Sequence, residues 1–196
     1  MIVYAIQGSL GEPSRTAALL TLVSRILGTM DAEVDVFDVR ANALPLVNPQ
    51  YHDDPSTHPS AAVREFTARA RAADAMIWAT PVYHNSYSGA LKQAIDHLSL
   101  HEVLEKPIAL CGNGGRGGST QPTDHLRIVA RSLHGIAIPT VCVTRSADFV
   151  ADGGRFLLQN REIVYRAERM ARQLAEYMVM FARLRASRRE AEPKHA

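Results

Sequence analysis

Ile2-Val3-Tyr4-Ala5-Ile6 leads, past Gln7, into Gly8-Ser9-Leu10-Gly11-Glu12-Pro13-Ser14-Arg15-Thr16, and then into Leu19, Leu22, Val23 and Ile26. An aliphatic run, a glycine- and serine-rich turn and an apolar stripe recurring at three and four residues spell strand, turn and helix. The alternation continues down the chain, with strands expected at 2–6, 33–38, 75–80, 107–111 and 138–143. Helices fall between them. One starts near Pro13, a residue suited to a first helical position, and a second covers about 60–72. A third carries Leu91, Ile95 and Leu98, and a fourth covers about 122–134 with Leu126, Val129, Ala130 and Leu133 facing in. The last and longest aligns Ile163, Ala167, Met170, Leu174, Met178 and Phe181 on one stripe, read as packing against the sheet with its methionines as filler. Strands and helices in this alternation specify an α/β fold: one doubly wound domain, a five-stranded parallel sheet of order 2-1-3-4-5 with helices on both faces.

The chain has 196 residues, with 22 Lys plus Arg against 20 Asp plus Glu, and 46% of it is hydrophobic. That suits one domain with a continuous core. Residues 183–196 hold five of the bases (Arg183, Arg185, Arg188, Arg189, Lys194) and two of the acids, so residues 1–182 carry 17 against 18. The pI of about 8.7 therefore belongs to a basic C-terminal tail, 183–196, attached to a near-neutral domain, 1–182. A body without a basic stripe lacks the phosphate-neutralising footprint of a nucleic-acid binder, and no nucleic-acid partner is expected. Cys111 and Cys142 each sit in an apolar run, as small core hydrophobes rather than a disulfide framework. The opening residues have neither a basic n-region nor an apolar stretch of membrane-spanning length. The expectation is a cytoplasmic protein with no membrane partner.

In a doubly wound sheet of this order, ligands bind beyond the carboxyl ends of the strands, where the winding reverses between strands one and three. The first of these loops, 8–16, gathers three hydroxyls, a guanidinium and the free amides of a helix start: a phosphate cradle, or simply a set of helix caps. It lacks the Gly-Lys-Ser/Thr of a triphosphate-binding loop. The loop after strand three reads Thr80-Pro81-Val82-Tyr83-His84-Asn85-Ser86-Tyr87-Ser88-Gly89-Ala90-Leu91-Lys92.

This run, paired with the Gly8 to Thr16 loop one winding upstream, resembles the NADPH-dependent FMN reductase family, whose fold is flavodoxin-like. The Pro13-Ser14-Arg15 order is most similar to FMN reductases that serve two-component monooxygenases, and Leu44-Pro45-Leu46-Val47-Asn48-Pro49 resembles the family's loop after strand two. Over about 1–145 the resemblance implies FMN and NAD(P)H as cofactors. It places Ser9, Ser14, Arg15 and Thr16 on the FMN phosphate, and Pro81, Val82, Tyr83, His84, Asn85 and Ser86 around the flavin ring. Tyr83 adds flat contact on physical grounds, with an amphipathic core cap as the plainer role. The resemblance further implies a homodimer or homotetramer, for which the last helix and the 43–59 loop are interface candidates.

Two departures stand out. Gly11 occupies a position where many relatives carry Arg, leaving Arg15 to supply the charge. The loop after strand four, Gly112-Asn113-Gly114-Gly115-Arg116-Gly117-Gly118, is unusually glycine-rich. It contains Gly-x-Gly-x-x-Gly but not in a first βαβ unit, so it is no dinucleotide fingerprint. Read as a flavin loop, Gly114 and Gly115 admit backbone to the ring edge, and Arg116 would stabilise negative charge on reduced flavin; the plainer alternative is an arginine in solvent.

His97 and His101, four apart, read as a solvated helix end rather than a metal site, and His52, Asp53, Asp54 and His58 as a polar loop. Gly-x-Ser-x-Gly is absent. No catalytic side chain is required where flavin carries the chemistry. The leading function is therefore an NAD(P)H:flavin oxidoreductase that passes hydride to FMN and delivers reduced flavin to an acceptor, with a flavin-dependent monooxygenase as one candidate recipient. The alternative is a flavoprotein that retains FMN and reduces small molecules such as quinones or azo compounds. A flavodoxin-like carrier ranks last, since such carriers are strongly acidic and this body is not.

Overall fold

A computed structural model describes residues 1–191. Six strands form one parallel sheet: β1 (Ile2–Gln7), β2 (Glu33–Asp38), β3 (Ala75–Pro81), β4 (Pro107–Asn113), β5 (Ile136–Ala137) and β6 (Cys142–Thr144). Their order is β2-β1-β3-β4-β5, with β6 also paired to β4. The helices are α1 (Arg15–Gly28), α2 (Ala61–Ala72), α3 (Gly89–Ile95), α4 (Leu100–Val103), α5 (Gln121–Ser132) and α6 (Arg161–Ala191). The doubly wound fold expected from the alternation is the fold observed.

Strand residues alternate between two cores, as the two-residue period requires. The core shared with α1 and α6 takes Val3, Ala5, Ala75, Ile77, Ala79, Ala109 and Cys111 from the sheet, most of them small. The opposite core takes Tyr4, Ile6, Met76, Trp78, Ile108 and Leu110. Small residues let α1 and α6 approach the strands, whereas the other face fills a wider gap with large side chains. The stripe of α6 packs as expected: Ala167, Met170, Leu174 and Met178 are all fully buried. The helix continues through Arg183, Arg185 and Arg188, and Arg188 pairs with Glu105 at 2.6 Å. Lys194 of the basic segment lies outside the described residues.

Local differences from the expected elements have physical causes. The fifth strand is split around Ile138-Pro139-Thr140-Val141 because Pro139 has no amide to donate. Arg127 bonds the Ala137 and Pro139 carbonyls at 3.2 and 2.9 Å, and the Thr140 amide donates to Gln173 at 2.8 Å. Helix α1 starts at Arg15, not Pro13, because Ser14 is the cap, accepting from the Ala17 amide at 3.1 Å. Helix α3 stops before Leu98 because Ser99 opens α4 in a reciprocal capping box with Glu102. Residues 146–160, which carry none of the expected strands or helices, contain an antiparallel hairpin, β7 (Phe149–Asp152) and β8 (Arg155–Leu158), turning at Gly153 and Gly154 with φ of +52° and +81°.

Candidate functional site

The loops after β1, β3 and β4 are stitched together at the carboxyl end of the sheet. The Gly8 amide donates to Ala79 O at 2.8 Å. A side chain at Gly8 would bring a Cβ to 2.6 Å from Leu91 Cβ and 2.9 Å from Ala79 O, so only glycine allows the close crossing of β1 over α3. Ser88 caps α3 by accepting the Leu91 amide at 3.1 Å and donates its hydroxyl to Gly8 O at 2.6 Å. Its own amide donates to Thr80 Oγ1 at 2.9 Å, and both hydroxyl residues are buried. The β4 loop joins through the Val82 amide, which donates to Asn113 O at 2.9 Å.

In the first loop, Ser9 is buried and its Oγ accepts the Gly11 amide at 3.2 Å. Gln7 holds this turn, accepting the Ser9 amide and donating to Ser9 O and Asp38 Oδ1, both at 3.1 Å. Ser14 caps α1, and Thr16 is buried in its first turn. Among the described residues, the Arg15 and Thr16 amides meet no acceptor. Arg15 Nε is likewise buried without a partner, while its guanidinium lies 4.0 Å over the Phe156 ring. Two open amides at a helix start beside an unsatisfied guanidinium nitrogen suit a phosphate, which supplies the missing acceptors and the charge. A groove of about 630 Å3, lined by Ser14, Ala18, Phe156 and Leu158 among others, opens beside the cradle.

The second loop is a two-residue hairpin turn. Tyr83 and Ser86 exchange both backbone hydrogen bonds at 2.9 Å, and His84 and Asn85 between them are left-handed with φ of 49° and 60°. Tyr83 is 49% exposed. Pro81 and Val82 lie half-buried behind it. Ser86 Oγ is hydrogen-bonded to His125 Nδ1 at 3.0 Å, tying the turn to α5. In the third loop, the Gly114 amide donates to Thr144 O at 2.8 Å, and a Cβ on Gly114 would fall 2.6 Å from Gly118 Cα and Ser119 N. Gly115 is left-handed with φ of +61°, and its carbonyl accepts from the Ser146 amide at 2.6 Å. Arg116 is exposed. Among the described residues it forms no ion pair.

The remaining sequence candidates are structural. His97 is buried rather than solvated: its Nε2 lies 2.9 Å from Pro45 O and its ring 6.0 Å from that of His58, anchoring the loop after β2. Burial lowers its basicity first, opposed by that carbonyl contact. Among the described residues, no three His, Cys, Asp or Glu gather as a metal site. Both cysteines are buried and free, with burial raising the Cys111 thiol and pushing that of Cys142 up to about 12, so neither is a reactive thiolate. Ser88, His125 and Phe156 escaped the sequence reading. Ser88 carried a cap signal just before α3, and Asp152-Gly153-Gly154 between apolar runs is a hairpin signal; the Ser86–His125 contact had none.

A parallel doubly wound domain with open helix-start amides after β1 and two further loops beside them at the winding reversal has the arrangement in which such sheets bind nucleotides. Residues 1–149 match the family model for NADPH-dependent FMN reductases, and the chain belongs to that family. It is an NAD(P)H:flavin oxidoreductase, with FMN and a reduced nicotinamide as its cofactors. It is similar to the FMN-dependent NADPH-azoreductase of Staphylococcus aureus, 36% identical over 177 residues spanning 87% of this chain and 92% of the relative. In fold it resembles the flavoenzyme NAD(P)H:(acceptor) oxidoreductase FerB of Paracoccus denitrificans, with a TM-score of 0.72, 19% identity and coverage of 91% and 97%. An oxidoreductase from Corynebacterium diphtheriae superposes with a TM-score of 0.67, 21% identity and the same coverage. Among the described residues, no helix is long and apolar enough to cross a membrane.

Proposed function

We propose that FMN is held with its phosphate on Ser9, Ser14, Arg15 and Thr16 and its ring between Pro81–Ser86 and Gly114–Arg116. The observation that carries this is the buried, acceptorless Arg15 Nε beside the two open amides of α1. When bound, FMN supplies a ring that takes a hydride from reduced nicotinamide and passes electrons to an acceptor. The chain supplies the surroundings. Ser14 spends its hydroxyl on Ala17, leaving the first two amides of α1 for the phosphate. The rigid turn at His84 and Asn85 presents the Tyr83 ring face, and the Gly114–Gly115 backbone gives a flat edge without side chains. Arg116, exposed on the glycine loop, would supply positive charge that favours an anionic ring.

Reduced flavin is delivered onward, with a flavin-dependent monooxygenase as one recipient. A second reading keeps FMN bound and reduces azo compounds or quinones directly; the 36% identity to the staphylococcal azoreductase favours it. The enzyme works in the cytoplasm as a homodimer or homotetramer. Exposed Leu46 (80%), Tyr165 (63%) and Met180 (51%) support the loop after β2 and α6 as interface candidates. Steady-state NADH and NADPH oxidation decides between the two acceptors. Saturation by free FMN, with colourless protein emerging from gel filtration, is expected for delivery. Retained yellow colour and bleaching of an azo dye without added FMN would overturn delivery in favour of the second reading.

A further inference from the structure

We propose that the β7–β8 hairpin is a working part of the flavin-phosphate site, with Phe156 as the positioning residue that sets the Arg15 guanidinium. The inference rests on the reading of Arg15 as the phosphate ligand and extends the site to an element remote in sequence from all three loops. Arg15 is the first residue of α1, where a long side chain is free to swing into solvent. Instead its guanidinium carbon sits 4.0 Å above the Phe156 ring centroid. A guanidinium stacked on a ring face keeps its N–H groups pointing outward in its own plane, so stacking and phosphate binding do not compete. The buried Nε has no hydrogen-bond partner, so the ring contact covers the face of the group and leaves this donor open.

Phe156 can act this way because the hairpin is clamped at its base. Asp148 is 2% exposed and accepts from the Arg145 amide at 2.6 Å and from Asn160 Nδ2 at 2.7 Å, while its carbonyl takes the Gln159 amide at 2.9 Å. These bonds close the segment on itself. Phe156 also packs edge-on against Phe149, at 6.3 Å and 67°, and joins the core shared with α1 and α6. The same segment reaches the ring side of the site through the Ser146 amide on Gly115 O. One element therefore braces the phosphate cradle and the glycine loop together. Fixing a rotamer-rich arginine before the ligand arrives removes an ordering cost that binding would otherwise bear.

The test is titration of flavin fluorescence by the full chain, with FMN and riboflavin compared, since riboflavin lacks the phosphate. Phe156→Ala is expected to weaken FMN about three- to tenfold and to leave riboflavin unchanged. Phe156→Leu, which keeps most of the packing volume but no ring face, is expected to weaken FMN in the same direction, and Phe156→Tyr to restore it. Arg15→Ala is expected to weaken FMN and to abolish any further effect of Phe156→Ala. If Arg15→Ala leaves FMN binding intact, the phosphate reading itself falls, and this inference with it. If Arg15→Ala weakens FMN but the Phe156 variants do not, the reading stands and the inference is overturned. Equal loss for FMN and riboflavin in Phe156→Leu would likewise overturn it, by showing that the hairpin supports the whole fold rather than the phosphate.

Discussion

Replacing Ser88 with alanine removes two hydrogen bonds made by one oxygen: the donation to Gly8 O at 2.6 Å and the cap on the Leu91 amide at 3.1 Å. Loss of a helix cap of this kind costs about 1 kcal/mol. Leaving the buried Gly8 carbonyl unpaired adds about 1–3 kcal/mol. Together, about 2–4 kcal/mol of stability is expected to go. With a urea slope near the upper end of the range of about 1–3 kcal/mol/M, the unfolding midpoint falls by about 1 M. The chain reports on itself, since its single tryptophan, Trp78, is fully buried on β3, two residues before Thr80. Tryptophan emission against urea, for wild type and Ser88→Ala, gives both midpoint and slope. FMN affinity is expected to fall as well, because the same oxygen holds the cradle loop against the β3 loop. A midpoint change below about 0.2 M at unchanged slope would refute the claim that this oxygen carries the junction.

Two further outcomes follow from charged groups. Burial, as the largest influence, drives the Lys106 ammonium down from 10.5 to about 8, even though it donates to the Ala70 and Arg71 carbonyls at 2.7 Å. Between about pH 8 and pH 10.5 the unfolded chain holds this proton and the folded chain does not, so the residue adds stability as pH rises, by up to about 3 kcal/mol across the window. Lys106→Met is expected to flatten that rise in urea midpoints measured at pH 8 and pH 10, and an identical rise in both proteins refutes it. Arg116→Ala is expected to make the midpoint potential of bound FMN more negative; an unchanged potential in spectroelectrochemical titration removes Arg116 from the ring site.

Much of the fold was readable because a strand covered on both faces must be apolar throughout. Residues 75–80 and 107–111 have no other plausible structure, and both strands run one or two residues longer than that. What escaped depended on groups distant in sequence. The split of the fifth strand needs Arg127 and Gln173 to satisfy the backbone freed around Pro139. The three loops could be located from the strand order alone, since the reversal in winding fixes where ligands bind. Their stitching could not, because a serine at a helix start looks like a cap whether or not its hydroxyl also reaches Gly8. Phe156 lies outside every strand and helix expected from the sequence, as one more apolar residue. Its partner, Arg15, lies across a fold-back of the chain that no local pattern encodes.

The unequal faces of the sheet set what kind of sequence change each half of the molecule can absorb. On the side of Ala5, Ala75, Ala79 and Ala109, an added methyl has nowhere to go and must push a helix outward. On the side of Tyr4, Met76 and Trp78, enlargement is rarely the hazard; a lost methylene leaves a void. The helices packed on that face are α1 and α6, and the opening turn of α1 is the proposed phosphate cradle, while the loops proposed to hold the ring hang from β3 and β4. Crowding the alanine side therefore shears the two halves of the cofactor site against each other. Flavin affinity thus becomes a sensitive gauge of strain on that face.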